Sequence, residues 1–129
     1  MSGEPVRYTA RVHELFRALP CAGALAAGAG TVVHGEATAL DRGAWVRFEA
    51  RVAGGRIVDC AFRAWGCPHT LAASAWLAQA MRAAAVAQAA PAEARDLAHE
   101  IGAPAHKLGR LLVVADAQAA LLAAARALQ

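Results

Sequence analysis

Residues 44–64 read AWVRFEARVAGGRIVDCAFRA, and this stretch decides the fold. Along residues 44–53, apolar side chains alternate with larger or charged ones, which is the two-residue period of a half-buried strand. Gly54-Gly55 is a turn signal, and residues 56–64 return as a second strand. The stretch therefore predicts an antiparallel hairpin. The second strand is expected to place four side chains on one face: Val58, Cys60, Phe62 and Ala64.

The segments before the hairpin are less regular. Residues 8–19 have the apolar spacing of a short amphipathic helix, with Thr9 as its cap and Pro20 as its end. Residues 21–30 are rich in glycine and alanine and predict a flexible connection, and residues 31–40 predict a weak strand. A third strand beside the hairpin is therefore expected.

Helical patterns follow the hairpin. Pro68 suits the first position of a helix, where a missing amide hydrogen costs nothing. Pro91 and Gly102 then interrupt the helical pattern. The three helices expected in this part cover residues 70–90, 92–101 and 107–128.

The order of these elements favours the α+β class, because helices and strands are segregated along the chain. We expect an N-terminal helix, a small antiparallel sheet of about three strands, and a C-terminal helical layer packed on the sheet. Residues 1–129 are expected to form a single domain, in which residues 1–30 supply the N-terminal helix and the flexible segment.

Composition excludes several classes of protein. The chain is 58% hydrophobic and 18% charged, which does not fit a disordered tail. A net charge of +3 is too small for a nucleic-acid-binding surface, and no stretch reads as a membrane span. Three cysteines are too few and of the wrong parity for a disulfide-stapled secreted domain. A cytoplasmic location with free or metal-bound thiols is expected.

Cys67 is the first candidate for chemistry, because it follows a strand and immediately precedes a helix start. Free amides at a helix N-terminus stabilise an anion and lower the pKa of a thiol there. Cys67 could then be a nucleophile or a metal ligand. The alternative is a buried cysteine that acts as a small hydrophobe. Position in the sequence does not decide between them.

The other candidates are weaker. His69 could ligate a metal or tune the Cys67 thiolate, but a place in the first turn of a helix favours a surface histidine. Cys60 is expected in the core, and Cys21 is expected as an exposed thiol in the flexible segment. The sequence has no Cys-x-x-Cys, no phosphate-binding glycine loop and no Gly-x-Ser-x-Gly.

Two stretches resemble one known family. Residues 56–67 read RIVDCAFRAWGC and precede a helix with Ala72, Ala73 and Ser74. This resembles the U-type (IscU/NifU-like) iron–sulfur cluster assembly scaffolds, which carry I-x-D-A-x-F-x-x-x-G-C followed by A-S-S. Near the C-terminus, Lys107 and the run to Asp116-Ala117 resemble the family's K-x-H-C-S-x-L-A-x-D-A. The resemblance covers residues 45–128 and implies the same α+β fold.

The resemblance implies a [2Fe–2S] cluster, or zinc, held by three cysteines with help from an aspartate and a histidine. The middle cysteine is present as Cys67. The family's Cys-Gly-Asp is Arg42-Gly43-Ala44 here, and its His-Cys-Ser is Gly109-Arg110-Leu111. Arginine has no lone pair to donate, and one thiolate does not hold a cluster that needs four ligand positions. We therefore expect a divergent member that binds cluster poorly or not at all.

The resemblance also implies partners. A cysteine desulfurase would supply sulfur to Cys67. The loop that an Hsp70-type chaperone recognises in the family corresponds to residues 103–107, where only Pro104 and Lys107 persist.

If the fold is kept, Arg42 and Arg110 are expected to approach Cys67, since the family's ligands converge there. Two guanidinium groups would depress the pKa of the thiol further, and would favour a thiolate, a persulfide or a bound anion over iron. Two routes to a metal site remain open. One is a substitute zinc set, and the other is a homodimer that shares Cys67. The substitute set would consist of Cys67, His69, His106 and Asp41.

Three functions follow from this reasoning. The first is a non-enzymatic scaffold homologue with Cys67 as the retained cluster ligand or sulfur acceptor. The second is a thiol-dependent transferase or hydrolase, in which Cys67 is the nucleophile and Arg42 and Arg110 bind an anionic substrate. The third is an interaction module without metal on the same fold.

Overall fold

An antiparallel sheet forms the centre of the protein. The computed structural model describes residues 8–128. Within them the strands are β1 (Thr31–Ala39), β2 (Ala44–Ala53) and β3 (Arg56–Trp65), which lie side by side in chain order. The predicted hairpin and the third strand are confirmed. Residues 1–7 and 129 of the predicted single domain lie outside the described residues.

One face of β2 forms the floor of the core. Its buried residues alternate with half-buried ones along the whole strand. Phe48 pairs with Phe62 on β3 and with Gly35 on β1, so the central strand places its largest buried side chain in the middle of the sheet. The opposite face carries ion pairs, among them Arg47 with Glu36. The sheet therefore has one apolar face that helices must cover.

A bulge in the hairpin corrects one prediction. The pairing of β2 with β3 shifts between Arg51 and Val52, so that Val52 faces Ile57 while Arg51 faces Asp59. Ile57 consequently takes the core position, and Val58 is 48% exposed. The prediction that Val58 shares the buried face was wrong because strict alternation does not include an extra residue. Cys60 and Phe62 are buried as predicted.

Four α-helices complete the described residues: α1 (Ala10–Ala18), α2 (Pro68–Met81), α3 (Ala94–Ile101) and α4 (Leu108–Arg126). The longest, α4, packs on β1 and β2, while α2 packs on β3 and α3 on α4. Thr9 caps α1 as predicted, because its hydroxyl oxygen accepts a hydrogen bond of 3.1 Å from the Val12 amide. The predicted α+β architecture is confirmed.

The second helix is shorter than predicted. It ends at Met81 instead of continuing to residue 90. Residues 82–86 turn back along the edge of β3, where the Ile57 amide donates to the Ala84 carbonyl (2.9 Å) and the Val86 amide donates to the Gly55 carbonyl (2.8 Å). These bonds satisfy edge groups of the hairpin and bury Val86. The helix propensity of an alanine run is too weak to compete with them.

The other part of the β3 edge is covered by residues 21–23. The Phe62 amide donates to the Cys21 carbonyl, and the Gly23 amide donates to the Phe62 carbonyl, both at 2.9 Å. Ala22 thus forms a parallel bridge with Phe62. The segment that composition predicts as a flexible connection is therefore attached to the sheet at its start.

The C-terminal helical stretch Ala105–Arg126 is long and apolar enough to cross a membrane by length and composition alone. Half of the most apolar 18-residue part of this stretch is buried inside the protein. Leu111, Val114 and Leu121 are fully buried in the core. Its apolarity is that of a core helix which covers a sheet.

Close packing at Gly35 generates a first prediction. A Cβ atom there would lie 2.5 Å from the Ala117 carbonyl oxygen and against the Leu121 amide. Gly35→Ala should therefore force α4 away from β1 and lower the free energy of unfolding by about 1–3 kcal/mol. The measurement is the denaturant midpoint. Gly28→Ala is the matched control, since its Cβ would meet only the movable Arg51 side chain at 3.2 Å. Equal effects in the two variants would contradict this account of the packing.

Candidate functional site

Cys67 lies where β3 passes into α2. Gly66 precedes it with a φ of +150°, and a Cβ at Gly66 would lie 3.1 Å from the Thr70 side chain and 3.2 Å from the Gly43 carbonyl oxygen. Cys67 is the N-terminal capping residue of α2 and is half-buried. Its sulfur lies 3.7 Å from the Thr70 hydroxyl. The turn therefore holds the thiol at the start of the helix, where the sequence predicts it.

The surroundings of Cys67 favour its thiolate. Burial raises the pKa of this thiol, but the backbone amide and hydroxyl of Thr70 lower it. The amide of His69 and the charge of Lys107 lower it too, and the resulting pKa is below the ordinary value. Two of these causes are backbone amides in the first turn of α2, which is the effect expected for a thiol at a helix start.

His69 is buried, with 0% of its surface exposed, so the prediction of a surface histidine was wrong. Its ring packs on Tyr8 with centroids 4.8 Å apart. Neither ring nitrogen has a hydrogen-bond partner among the described residues. Burial lowers its pKa, and the nearby charges of Lys107, His106 and Arg110 lower it further. His69 is therefore a neutral ring beneath the site, covered by Tyr8 in a way that local sequence does not reveal.

Lys107 is a buried charged group near the site that its local sequence does not reveal. It is the last residue of a three-residue 3-10 helix, Ala105–Lys107, that precedes α4, and it is only 7% exposed. Its charge acts on both Cys67 and His69. The resemblance marks Pro104 as part of a partner loop, and Lys107 as part of that loop and of the C-terminal motif. A lone lysine before a helix carries no local signal that it will be buried beside a thiol.

Arg42 and Arg110 lie next to each other. The Arg110 Nε donates to the Arg42 carbonyl oxygen at 3.1 Å. The Arg42 guanidinium lies against Gly109, where any larger side chain would overlap it. The structure thus brings together the two positions that the resemblance aligns with the family's outer cysteines. Contact of their guanidinium groups with the Cys67 sulfur stays a prediction.

The substitute metal set is not assembled. Within residues 8–128, no three His, Cys, Asp or Glu side chains form a group that could hold a metal ion. Cys67, His69, His106 and Asp41 therefore do not make a zinc site in one protomer. The donors at this corner are one thiol and one buried imidazole with cationic neighbours, which do not fit the ligand positions of a cluster.

The remaining cysteines do not reach this site. Cys60 is buried in β3, as predicted. Cys21 contacts Arg82, which directly follows the last residue of α2. Cys67 directly precedes the first residue of the same helix. Since a 14-residue helix is about 20 Å long, Cys21 and Cys67 lie at opposite ends of α2.

A groove of about 530 Å³ runs along α4 beside Gly109. Its lining combines apolar residues with the charged side chains of Glu93, Arg95 and Asp116. It adds no nucleophile or metal donor to the Cys67 site. The apolar residues that α4 contributes to the lining are Leu108, Leu112, Ala115 and Ala119.

Comparisons with known proteins agree with this architecture. The family model described as the NifU-like N terminal domain matches residues 7–127. The chain is similar to the crystal structure of the N-terminal part of a nitrogen-fixing NifU-like protein from Brucella abortus, with a TM-score of 0.65 and 16% identity. That match covers 92% of this chain and 94% of the other. No curated protein matches the chain by sequence.

A second similar crystal structure is described as that of a hypothetical protein. It has a TM-score of 0.58 and 16% identity, and the match covers 88% of this chain and 98% of that one. At such identities the structural matches establish the fold.

The charge environment of Cys67 generates a second prediction. Its alkylation rate, measured against pH by peptide mapping, should have a midpoint below the ordinary thiol value. Lys107→Met should raise that midpoint, because the stem is kept and the charge is removed. Arg17→Met, on the exposed side of α1, is the control and should leave it unchanged. A midpoint at or above about 8.5 in the parent protein would contradict the assignment.

Burial of His69 generates a third prediction. The unfolded chain binds a proton at this ring near pH 6.5, whereas the folded protein binds it only at lower pH. The free energy of unfolding should therefore decrease as the pH falls through 6.5. His69→Phe should reduce that decrease, and His99→Gln, at an exposed position of α3, should not. Denaturant titrations at several pH values measure this pH dependence of the free energy of unfolding. An identical pH dependence in His69→Phe and the parent would disprove it.

Proposed function

Because the chain belongs to the family of NifU-like N-terminal domains, we propose that it serves iron–sulfur cluster assembly as a sulfur-accepting carrier with Cys67 as the acceptor. The family has a scaffold role in cluster assembly and is generally non-enzymatic. The observation that carries the proposal is a lone thiol at the start of α2, with a lowered pKa and a buried lysine charge beside it.

The transfer is a thiol–disulfide exchange. The Cys67 thiolate attacks the outer sulfur of a persulfide on the donor's cysteine. The S–S bond in the donor breaks, a new S–S bond forms at Cys67, and the donor leaves as a thiolate. No net oxidation takes place, because one persulfide replaces another. The reaction needs an anionic attacking sulfur, which the first-turn amides of α2 favour.

The positive side chains suit the product. A persulfide is anionic, and the Lys107 charge acts on the sulfur that would carry it. Arg42 and Arg110 are proposed to add two further positive charges at the mouth of the site. Where relatives place thiolates that bind iron, this chain would place groups that stabilise a bound anion.

The cargo is therefore proposed to be sulfur and not an assembled cluster. One thiol and one buried imidazole do not supply the ligands of a [2Fe–2S] unit. A cysteine desulfurase is the proposed donor, and a cytoplasmic location would keep Cys67 reduced. Pro104 and Lys107 would be the two residues retained from the loop that contacts an Hsp70-type chaperone in relatives. A homodimer sharing Cys67 is the arrangement that would restore cluster binding.

Persulfide transfer generates a fourth prediction. Protein incubated without oxygen with a cysteine desulfurase and cysteine should gain one sulfur atom at Cys67, detected by mass spectrometry of the intact chain and its peptides. Cys67→Ser should lose this gain, and Cys21→Ser should keep it. Iron, zinc and acid-labile sulfide in protein purified without oxygen should be near zero in both the parent and Cys67→Ser.

Other outcomes identify the competing functions. Brown protein with acid-labile sulfide that depends on Cys67 would replace the sulfur-carrier proposal with a cluster ligand role. A parent chain in which Cys67 accepts no sulfur but reacts with small electrophilic substrates would support a thiol-dependent transferase or hydrolase. A colourless, unreactive chain would support an interaction module.

A further inference from the structure

A second thiol site lies at the other end of α2, and its proposed role is independent of the Cys67 function. Cys60 is 2% exposed in β3, and Cys21 is partly exposed in the connection after α1. The Cys21 carbonyl accepts a 2.9 Å hydrogen bond from the Phe62 amide, two residues beyond Cys60. This bond and the Ala22–Phe62 bridge hold the Cys21 backbone beside the strand that carries Cys60.

Side chains connect the same two cysteines. One terminal nitrogen of Arg82 lies 3.9 Å from the Cys21 sulfur, and the other lies 3.4 Å from the Asp59 carboxylate. That carboxylate oxygen accepts a 2.9 Å hydrogen bond from the Cys60 amide. Arg82 and Asp59 thus form a continuous polar link between the two cysteines.

The two thiols have different reactivity. Cys21 is accessible to solvent and has a guanidinium beside its sulfur. Burial raises the pKa of Cys60 to about 12, with contributions from the charges of Cys21 and Asp59. Cys60 therefore stays a protonated thiol that external oxidants do not reach.

We propose that Cys21 and Cys60 are a peroxide-sensitive pair, in which Cys21 is the oxidised thiol and Cys60 the resolving one. Cys21 has the access and the adjacent cation of a peroxide-reactive cysteine, and Cys60 is protected until its partner is oxidised. The disulfide would join the α1–β1 connection to β3 at the edge that backbone bonds already close.

The chemistry balances with hydrogen peroxide as the oxidant. The Cys21 sulfur attacks one peroxide oxygen, and the O–O bond breaks. That oxygen stays on Cys21 as a sulfenic acid, and the departing hydroxide takes the Cys21 proton and becomes water. The Cys60 sulfur then attacks the Cys21 sulfur, the S–O bond breaks, and the Cys60 proton leaves with the hydroxyl as a second water. Two thiols are oxidised to one disulfide while one peroxide is reduced to two waters.

The test uses the full chain with Cys67→Ser, so that the third thiol cannot react. After treatment with hydrogen peroxide and blocking of free thiols, the monomer should lose the mass of two hydrogen atoms. Peptide mapping should find Cys21 joined to Cys60, and dithiothreitol should reverse the change. The oxidised monomer should also have a higher denaturant midpoint than the reduced one, because the bond constrains the unfolded chain.

Two variants assign the roles. In Cys21→Ser, Cys60 should stay reduced at the peroxide concentration that oxidises the parent. In Cys60→Ala, Cys21 should stop at a sulfenic acid that dimedone captures. If replacement of the buried Cys60 prevents folding, the peptide map of the Cys67→Ser chain decides alone. Oxidation of Cys60 without Cys21, a disulfide-linked dimer in place of the internal bond, or no oxidation at all would overturn the proposal.

Discussion

The turn between β3 and α2 is the constraint on which the candidate site depends. Its Gly66 has a φ of +150°, and a Cβ there would lie 3.1 Å from the Thr70 side chain and 3.2 Å from the Gly43 carbonyl oxygen, so glycine is favoured. Because the chain turns here within two residues of the last strand residue, Cys67 becomes the cap of α2. Its sulfur therefore meets the free amides of the first helical turn, which stabilise an anion.

Electrostatics at this corner favours an anionic sulfur, because the pKa of the Cys67 thiol lies below its ordinary value. A thiol beside further thiolates binds iron, whereas a thiol beside cations is stabilised as an anion and keeps its nucleophilic sulfur. Lys107 acts in this way because α4 and its preceding turn bury it next to α2. The fold is that of the family, and sulfur transfer in place of metal ligation at this corner is our proposal. The pair of Cys21 and Cys60 would add redox chemistry at the far end of the same helix.

Errors of the sequence analysis share one physical cause. Residues 82–86 leave the helix because the hairpin edge offers them hydrogen bonds, and Val58 leaves the core because a bulge shifts the register. His69 is buried because Tyr8, from a distant part of the chain, packs on its ring. In each case an interaction that the local pattern does not contain outweighs a preference of at most about 1 kcal/mol per residue.

Local patterns alone determined the hairpin, the Thr9 cap, the α+β class and the place of Cys67 at a helix start, because period, turn residues and caps act over a few neighbouring residues. Motif resemblance predicted the family, which the family model confirms, and it predicts changed ligand positions at Arg42 and Arg110. Only the tertiary structure decided that Lys107 is buried beside the thiol, that Arg42 and Arg110 meet, and that Cys21 lies next to β3. These contacts join segments far apart in the chain, and their energies depend on burial and distance, which a linear sequence does not contain.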